Sequence, residues 1–190
     1  MSSVGKKAVQ TADLSEGLGL DEVLVGAVLK VHQAFEIGGH VQAILEETAD
    51  WCGASFGVAY AAEQGRRSLV PIASTAGSEE DPRFLAFTPI NPTQIGGGSL
   101  NDGPVAYEGV GPFAAVIGEW PGDPPRWTLA LPLVSSRGRW AGLVLLLLPE
   151  SVSADTQERL ERLLEMVRPA VDNVLRVLSM RDLVIKDDTA

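Results

Sequence analysis

Few side chains in this sequence are of the types that carry out covalent chemistry. A serine or cysteine nucleophile needs a histidine base within hydrogen-bonding reach. The 190 residues contain two histidines, His32 and His40, and one cysteine, Cys52. Both histidines fall in predicted N-terminal helices, far from any serine in a loop, so we interpret them as surface or packing residues of those helices. The sequence therefore predicts that this chain is not itself an enzyme.

The same residues argue against common metal and phosphate sites. Two histidines eight residues apart and one cysteine lack the spacing of a zinc site. The glycines at 96 to 98 are not followed by the Lys-Ser/Thr pair of a phosphate-binding loop, so we interpret them as a flexible loop. Cys52 is interpreted as a small apolar side chain near a helix end. No cofactor is identified.

Composition limits the protein's class, partners and location. A chain of 190 residues with 45% hydrophobic residues can form one domain with a sizeable core. The net charge of −10, from 15 basic and 25 acidic residues, argues against nucleic-acid and anionic-membrane surfaces. No apolar segment reaches the roughly 18 residues of a membrane helix, and the N-terminus does not resemble a signal peptide. We expect a cytoplasmic protein, which fits the single cysteine.

Helical patterns open the chain after a polar, aperiodic segment, residues 1 to 18, which we interpret as a disordered tail. The predicted domain runs from residue 19 to 178. Apolar residues recur at helical spacing from Leu20 to Ile37, where Gly38 follows. A second helix is predicted from His40 to Trp51 and ends at Gly53.

The middle of the chain alternates between strand patterns and irregular segments. Ala54 to Ala62 and Ser68 to Thr75 are predicted as a β-hairpin. Residues 77 to 125 are rich in Gly and Pro and are predicted to form a loop-rich covering layer. Within this layer we expect a helical turn at Val105 to Tyr107 and a strand at Phe113 to Ile117.

Two apolar runs follow, and they should lie at the centre of a sheet. Trp127 to Val134 and Leu143 to Leu148 are apolar on both faces, so both faces of the sheet should be covered. Ser135 to Arg139 supply the polar loop between the two strands. The predicted class is α+β, with an antiparallel sheet of about six strands.

A long helix is predicted after Ser153, which can cap it. Its apolar positions form a heptad stripe from Leu160 to Leu178, and Pro169 should bend the helix. The stripe carries more apolar surface than one sheet needs, so we expect a homodimer formed by the terminal helices. The predicted dimer contacts are Leu24, Val28, Val31, Val171, Val174 and Leu178.

One combination of motifs resembles a known family. An apolar strand with a Pro-Leu step, a polar turn and a return strand that begins Gly-Leu-Val-Leu follow one another in the last third of the chain. The residues are Leu131, Pro132, Leu133, Gly138 and Gly142 to Leu145. With the helix from Val41 to Ala49 before the Ala54 strand, they resemble a GAF domain, a small sensory module of signalling proteins. The resemblance covers about His40 to Leu178.

The resemblance implies a ligand pocket under irregular loops, on the face of the sheet opposite the terminal helices. Aromatic side chains that could stack on or hydrogen-bond a small molecule there are candidates for its walls. The candidates are Tyr60, Phe87, Tyr107, Phe113 and Trp127. The alternative is that these residues only fill the core. The roles of Trp120 and Trp140 are left open in the same way, since either residue could simply cover a sheet edge.

The C-terminal residues 179 to 190 resemble the end of a signalling helix and the connector into a GGDEF-type diguanylate cyclase. This resemblance implies a non-catalytic sensor that regulates a C-terminal output domain, a diguanylate cyclase, through small-molecule binding or a packing change. Residues 77 to 125 fit the GAF family less well. That leaves open the alternative of a ligand-free dimerisation scaffold in a histidine kinase or another signalling protein.

Overall fold

The computed structural model describes residues 22–33, 36–63, 68–95, 100 and 103–187, with side chains as far as Ser179. The predicted tail at residues 1 to 18, the glycine run at 96 to 98 and the last three residues of the predicted connector lie outside this part. Two helices come first, α1 (Glu22–Gln33) and α2 (Ile37–Cys52). Gly53 ends α2 in the left-handed region, at φ 61°, where its N–H reaches the carbonyls of Ala49 and Asp50.

An antiparallel sheet follows, with the strand order β2-β1-β5-β4-β3. Its strands are β1 (Phe56–Ala62), β2 (Leu69–Ser74), β3 (Val105–Glu108), β4 (Trp127–Val134) and β5 (Trp140–Leu148). The α+β class is confirmed, with five strands within the described ranges where about six were expected. The two strands predicted to be apolar on both faces, β4 and β5, are neighbours inside the sheet.

Two local predictions in the covering layer were wrong. Val105 to Tyr107, expected as a helical turn, is strand β3, which pairs with β4 from Val105 opposite Ala130 to Glu108 opposite Trp127. Phe113 to Ile117, expected as a strand, falls largely in a 3₁₀ helix, Gly111–Ala115. The backbone N–H and C=O groups at the edge of β4 can form hydrogen bonds with an extended segment. This tertiary pairing outweighs the local propensity of Val105 to Tyr107.

The rest of the covering layer consists of short helical segments. Helix α3 (Pro82–Leu85) is capped by Asp81, whose carboxylate accepts a hydrogen bond from the Arg83 N–H. A second 3₁₀ helix spans Pro92–Ile95.

The sheet separates two hydrophobic cores. The helix-side core lies between the sheet and three helices, α1, α2 and the C-terminal helix α4 (Ala154–Asp187). The loop-side core lies between the sheet and the covering layer. Alternation along the strands divides them, since Val144 and Leu146 of β5 face the helices whereas Leu143 and Leu145 face the loops. This arrangement explains why β5 is apolar on both faces.

Helix α4 (Ala154–Asp187) is a single α-helix of 34 residues that contains Pro169. The Ser153 hydroxyl accepts a hydrogen bond from the Thr156 N–H at 3.1 Å, which caps the helix as predicted. The helix packs against β4, α1 and α2. Among the described side chains of the heptad stripe, burial is complete as far as Val171, and Val174 and Leu178 are partly buried against the same core. Leu175, beside the stripe, is also buried.

Candidate functional site

Aromatic side chains fill the loop-side core, where the sequence predicted a pocket. Tyr60 and Phe113 are fully buried, and Phe87 is 4% exposed. The Tyr60 hydroxyl donates to the Thr88 carbonyl at 3.3 Å, and burial raises the pKa of this phenol. Tyr107 packs edge-on against Phe113, with 5.9 Å between ring centroids. In this conformation these four side chains therefore pack within or against the loop-side core.

Trp127 is separated from the other four predicted pocket residues. It lies partly buried against the helix-side core, whereas Tyr60, Phe87, Tyr107 and Phe113 belong to the loop-side core. The strand register places Trp127 opposite Leu148, another helix-side residue. The structure therefore brings four of the five candidates together and leaves one on the opposite face.

Two further aromatic residues, Phe56 and Trp120, pack with Phe87 in the loop-side core. Phe56 lies 5.9 Å from Phe87 and 5.5 Å from Trp120, measured between ring centroids. The Arg83 guanidinium lies 4.8 Å from the centre of the Phe56 ring, where a cation is attracted by the ring face. Asp81 holds that guanidinium through two hydrogen bonds, at 3.0 and 2.9 Å, and these bonds lower the pKa of the Asp81 carboxyl.

An open groove of about 240 Å³ lies at one end of the sheet, on the loop side. Its position is set by the last residue of β1, Ala62, and the first residues of β2 and β5, Leu69 and Trp140. Backbone hydrogen bonds in both directions between Leu69 and Ile90, at 2.7 and 2.8 Å, bring the Pro92–Ile95 turn beside these strand ends. The full lining is Ala62, Ser68, Leu69, Asn91, Pro92, Thr93, Arg139 and Trp140.

A polar cleft of about 260 Å³ lies between the β4–β5 loop and helix α4. Arg139 lines this cleft as well as the groove. Its guanidinium donates to the Ser179 hydroxyl at 3.2 Å, and its backbone N–H donates to the Ser135 hydroxyl at 3.0 Å. The Ser136 N–H in turn donates to the Asp172 carboxylate at 2.9 Å. The loop that begins β5 is therefore hydrogen-bonded directly to α4.

Sequence reasoning did not find Arg139 or Ser179 as functional candidates. Arg139 directly precedes the groove residue Trp140, and Ser179 lies one helical turn beyond buried Leu175 on the face of α4 that packs inward. Only the folded chain brings these positions, 40 residues apart, into contact. A charged residue at a strand start beside an aromatic residue is a signal that could have indicated Arg139.

The predicted dimer contacts divide by burial. Leu24, Val31 and Val171 are at most 1% exposed, because they pack within this chain's own helix-side core. Val28, Val174 and Leu178 are only partly buried. The large apolar side chains that stand out on the terminal helices are others, Val23 and Leu29 on α1 and Val177 on α4, which are 50%, 45% and 55% exposed.

The other titratable side chains considered in the sequence, His32, His40 and Cys52, lie in helices α1 and α2. His40 is buried at the start of α2, and the exposed His32 ring lies 3.1 Å from the Met166 carbonyl. Burial raises the pKa of the Cys52 thiol to about 11. Within the described part of the chain, His, Cys, Asp and Glu side chains do not form a group of three suited to hold a metal ion. None of the helices in that part has the length and apolar character that crossing a bilayer requires.

Comparison with known proteins identifies the fold. No protein-family model matches the sequence, and no curated protein matches it either. Solved structures do match. The GAF domain of an Acinetobacter phosphoenolpyruvate-protein phosphotransferase is 12% identical with a TM-score of 0.59, over 84% of this chain and 93% of that one.

Two further structures extend the comparison. The GAF domain of a protein described as a sensor histidine kinase, from Pseudomonas syringae pv. tomato, is 17% identical with a TM-score of 0.53, over 98% of this chain and 99% of that one. Free methionine-R-sulfoxide reductase from Neisseria meningitidis is 18% identical with a TM-score of 0.57, over 82% of this chain and 89% of that one. At these identities the likeness establishes architecture, and the architecture of this chain is the GAF fold.

Proposed function

We propose that this chain is a sensory domain in which binding at the loop-side groove is transmitted through helix α4 to an output domain. The observation that carries the proposal is the length and attachment of α4. At 34 residues the helix is about 51 Å long, whereas the nine residues of β5 span about 30 Å. A rigid element that packs on the sheet and extends past it is suited to transmit a change in packing.

The regulatory mechanism follows from two-state equilibrium. A ligand that binds one arrangement of the loop and α4 more tightly than another shifts the population by that difference in affinity. The hydrogen bonds from the β4–β5 loop to Asp172 and Ser179 are contacts that such a change would rearrange.

Two features of the proposal concern partners. We infer a homodimer whose contacts include the exposed Val23, Leu29 and Val177, beside the partly buried Val28, Val174 and Leu178.

We also infer a C-terminal diguanylate cyclase as the output domain. The residues encoded after Ala190 test the latter: a GGDEF domain would support it, and a histidine kinase or phosphodiesterase domain would contradict it.

A ligand-free dimerisation scaffold is the second candidate function. The complete burial of Tyr60 and Phe113 favours it, because the predicted pocket walls fill the core. Native mass spectrometry of freshly purified protein, followed by a metabolite thermal-shift screen, separates the two functions. A ligand at 100 times its Kd adds about 2.7 kcal/mol, which should raise Tm by about 5 to 10 °C. No bound species and no stabilising metabolite would favour the scaffold.

A further inference from the structure

We propose that the groove binds a small organic acid, an apolar ring or chain bearing one carboxylate, and that Arg139 recognises the carboxylate and couples its binding to helix α4. The coupling deepens the sensory function proposed above and rests on it. The recognition of an acid concerns the groove alone and can be tested separately.

The groove has the size and surface for the apolar part of such a ligand. Its volume of about 240 Å³ suits a compact molecule rather than a nucleotide. Ala62, Leu69, Pro92 and Trp140 supply its apolar walls, and Trp140 is only partly buried, so its ring can stack on a ligand. An apolar body therefore has matching surface here.

Among the described residues that line the groove, Arg139 is the one that carries a charge. The side-chain oxygen of Asn91 already accepts hydrogen bonds from the Thr93 N–H and hydroxyl, at 3.1 and 2.8 Å. The guanidinium is thus the group best able to select a ligand by charge. The adjoining cleft adds Arg137 and Arg176 against one carboxylate, Asp172, so basic side chains outnumber acidic ones in its lining although the chain carries a net charge of −10.

The present partner of the Arg139 guanidinium is a neutral one. It donates to the Ser179 hydroxyl, and none of the ion pairs among the described side chains involves Arg139. A guanidinium binds a carboxylate more strongly than a hydroxyl, because the bond is charge-assisted and can be bidentate. A carboxylate in the groove would therefore draw Arg139 away from helix α4.

Ser179 determines what this movement does to the helix. Its hydroxyl donates to the Leu175 carbonyl at 2.8 Å and accepts the bond from Arg139, so the loop is tied to the last buried turn of α4. Loss of the tie frees the part of α4 that leads away from the sheet. Acid binding would thereby loosen the segment that an output domain would follow.

The recognition step is tested by titrating the intact chain with 2-naphthoate and 2-naphthamide in a calorimeter. The two probes have nearly the same size and differ in charge. We expect naphthoate to bind about tenfold more tightly, or more. In Arg139→Gln this preference should fall below about threefold with naphthamide affinity unchanged, whereas Arg137→Gln, which alters the cleft but not the groove, should keep it. Equal binding of both probes, binding of neither, or a preference that survives in Arg139→Gln would overturn the proposal.

The coupling step is tested by amide hydrogen exchange in helix α4. Saturating naphthoate should accelerate exchange in the turn from Leu175 to Ser179, and naphthamide should not. Ser179→Ala should bind naphthoate with the same preference but show no further acceleration. A naphthoate preference with unchanged exchange in α4 would overturn the coupling and count against the sensory function, while leaving the acid-binding groove in place.

Discussion

Close backbone approach at single glycines sets the distance between helix α2 and the sheet. A Cβ atom at Gly142 of β5 would lie 2.3 Å from Val41 Cγ1 and 2.7 Å from the Tyr60 carbonyl oxygen. At Gly57 of β1 it would lie 2.6 Å from a methyl of Leu45. The contact with the Tyr60 carbonyl is the more severe, since backbone cannot turn aside as a side chain can.

Gly142→Ala should therefore destabilise the fold by about 1 to 3 kcal/mol, because the added methyl must push α2 away or distort the pairing of β1 and β5. The free energy of unfolding from urea denaturation measures this. Gly26→Ala in α1 is the matched control, since nothing lies within 4 Å of its Cβ position. It should be stabilising by about 0.5 to 1 kcal/mol through helix propensity. Equal effects of the two changes would contradict this account of the packing.

Burial of Cys52 predicts an unreactive thiol. Desolvation raises its pKa to about 11, and only the thiolate attacks disulfide reagents. At pH 8 the native protein should react with Ellman's reagent about one hundredfold more slowly than the urea-unfolded chain. The native rate should rise about tenfold per pH unit towards pH 11, because deprotonation limits it. A native rate equal to the unfolded rate would refute this description.

At the scale of elements, helix α4 joins the sheet to the C-terminal end of the chain. Its buried stripe is held by the helix-side core, and its first turn is held by the Ser153 cap. The β4–β5 loop contacts the helix near Ser179.

Removal of the cap tests how far the first turn stabilises the fold. Ser153→Ala leaves the Thr156 N–H without its side-chain acceptor and should cost about 1 kcal/mol. Ser151→Ala, at an exposed position with no hydrogen bond to the described residues, should stay within about 0.5 kcal/mol of the parent. Urea unfolding of both variants measures the difference, and a cost shared by both would show that the cap contributes nothing specific.

At the scale of the whole molecule, the helix-side core buries three of the six predicted dimer contacts, so association depends on the apolar side chains that remain exposed. Two exposed apolar side chains on different faces allow this to be tested. Val177 on α4 is 55% exposed, and Leu85 in the loop layer is 68% exposed.

Sedimentation velocity at tens of micromolar should show a dimer whose Kd rises about tenfold or more in Val177→Glu, because a buried carboxylate is penalised at an apolar interface. Leu85→Glu adds the same charge on the loop side and should leave the Kd unchanged. A strictly monomeric parent chain would remove the proposed dimer.

The sequence alone was sufficient for the fold class and for the two central strands. Strands apolar on both faces require cover on both sides, and helical periodicity located α1 and α2, because local patterns determine the class of these elements. Gly53 ends α2 as predicted, whereas Gly38, expected to end the first helix, lies inside α2. The strand pair around Gly138 carried the resemblance to the GAF fold that the structural comparison supports.

Only the tertiary structure decided which side chains are buried and which stay exposed. Local patterns could not assign β3, since its extended form depends on the open edge of β4. Nor could they distinguish the buried Leu24 and Val171 from the exposed Val177, because helical spacing does not say which neighbour covers a face. Four of the five aromatic candidates came together in the loop-side core while Trp127 lies on the opposite face, and Arg139 met Ser179 across 40 residues. Contacts between residues distant in sequence depend on the packing of whole elements, which periodicity along the chain does not contain.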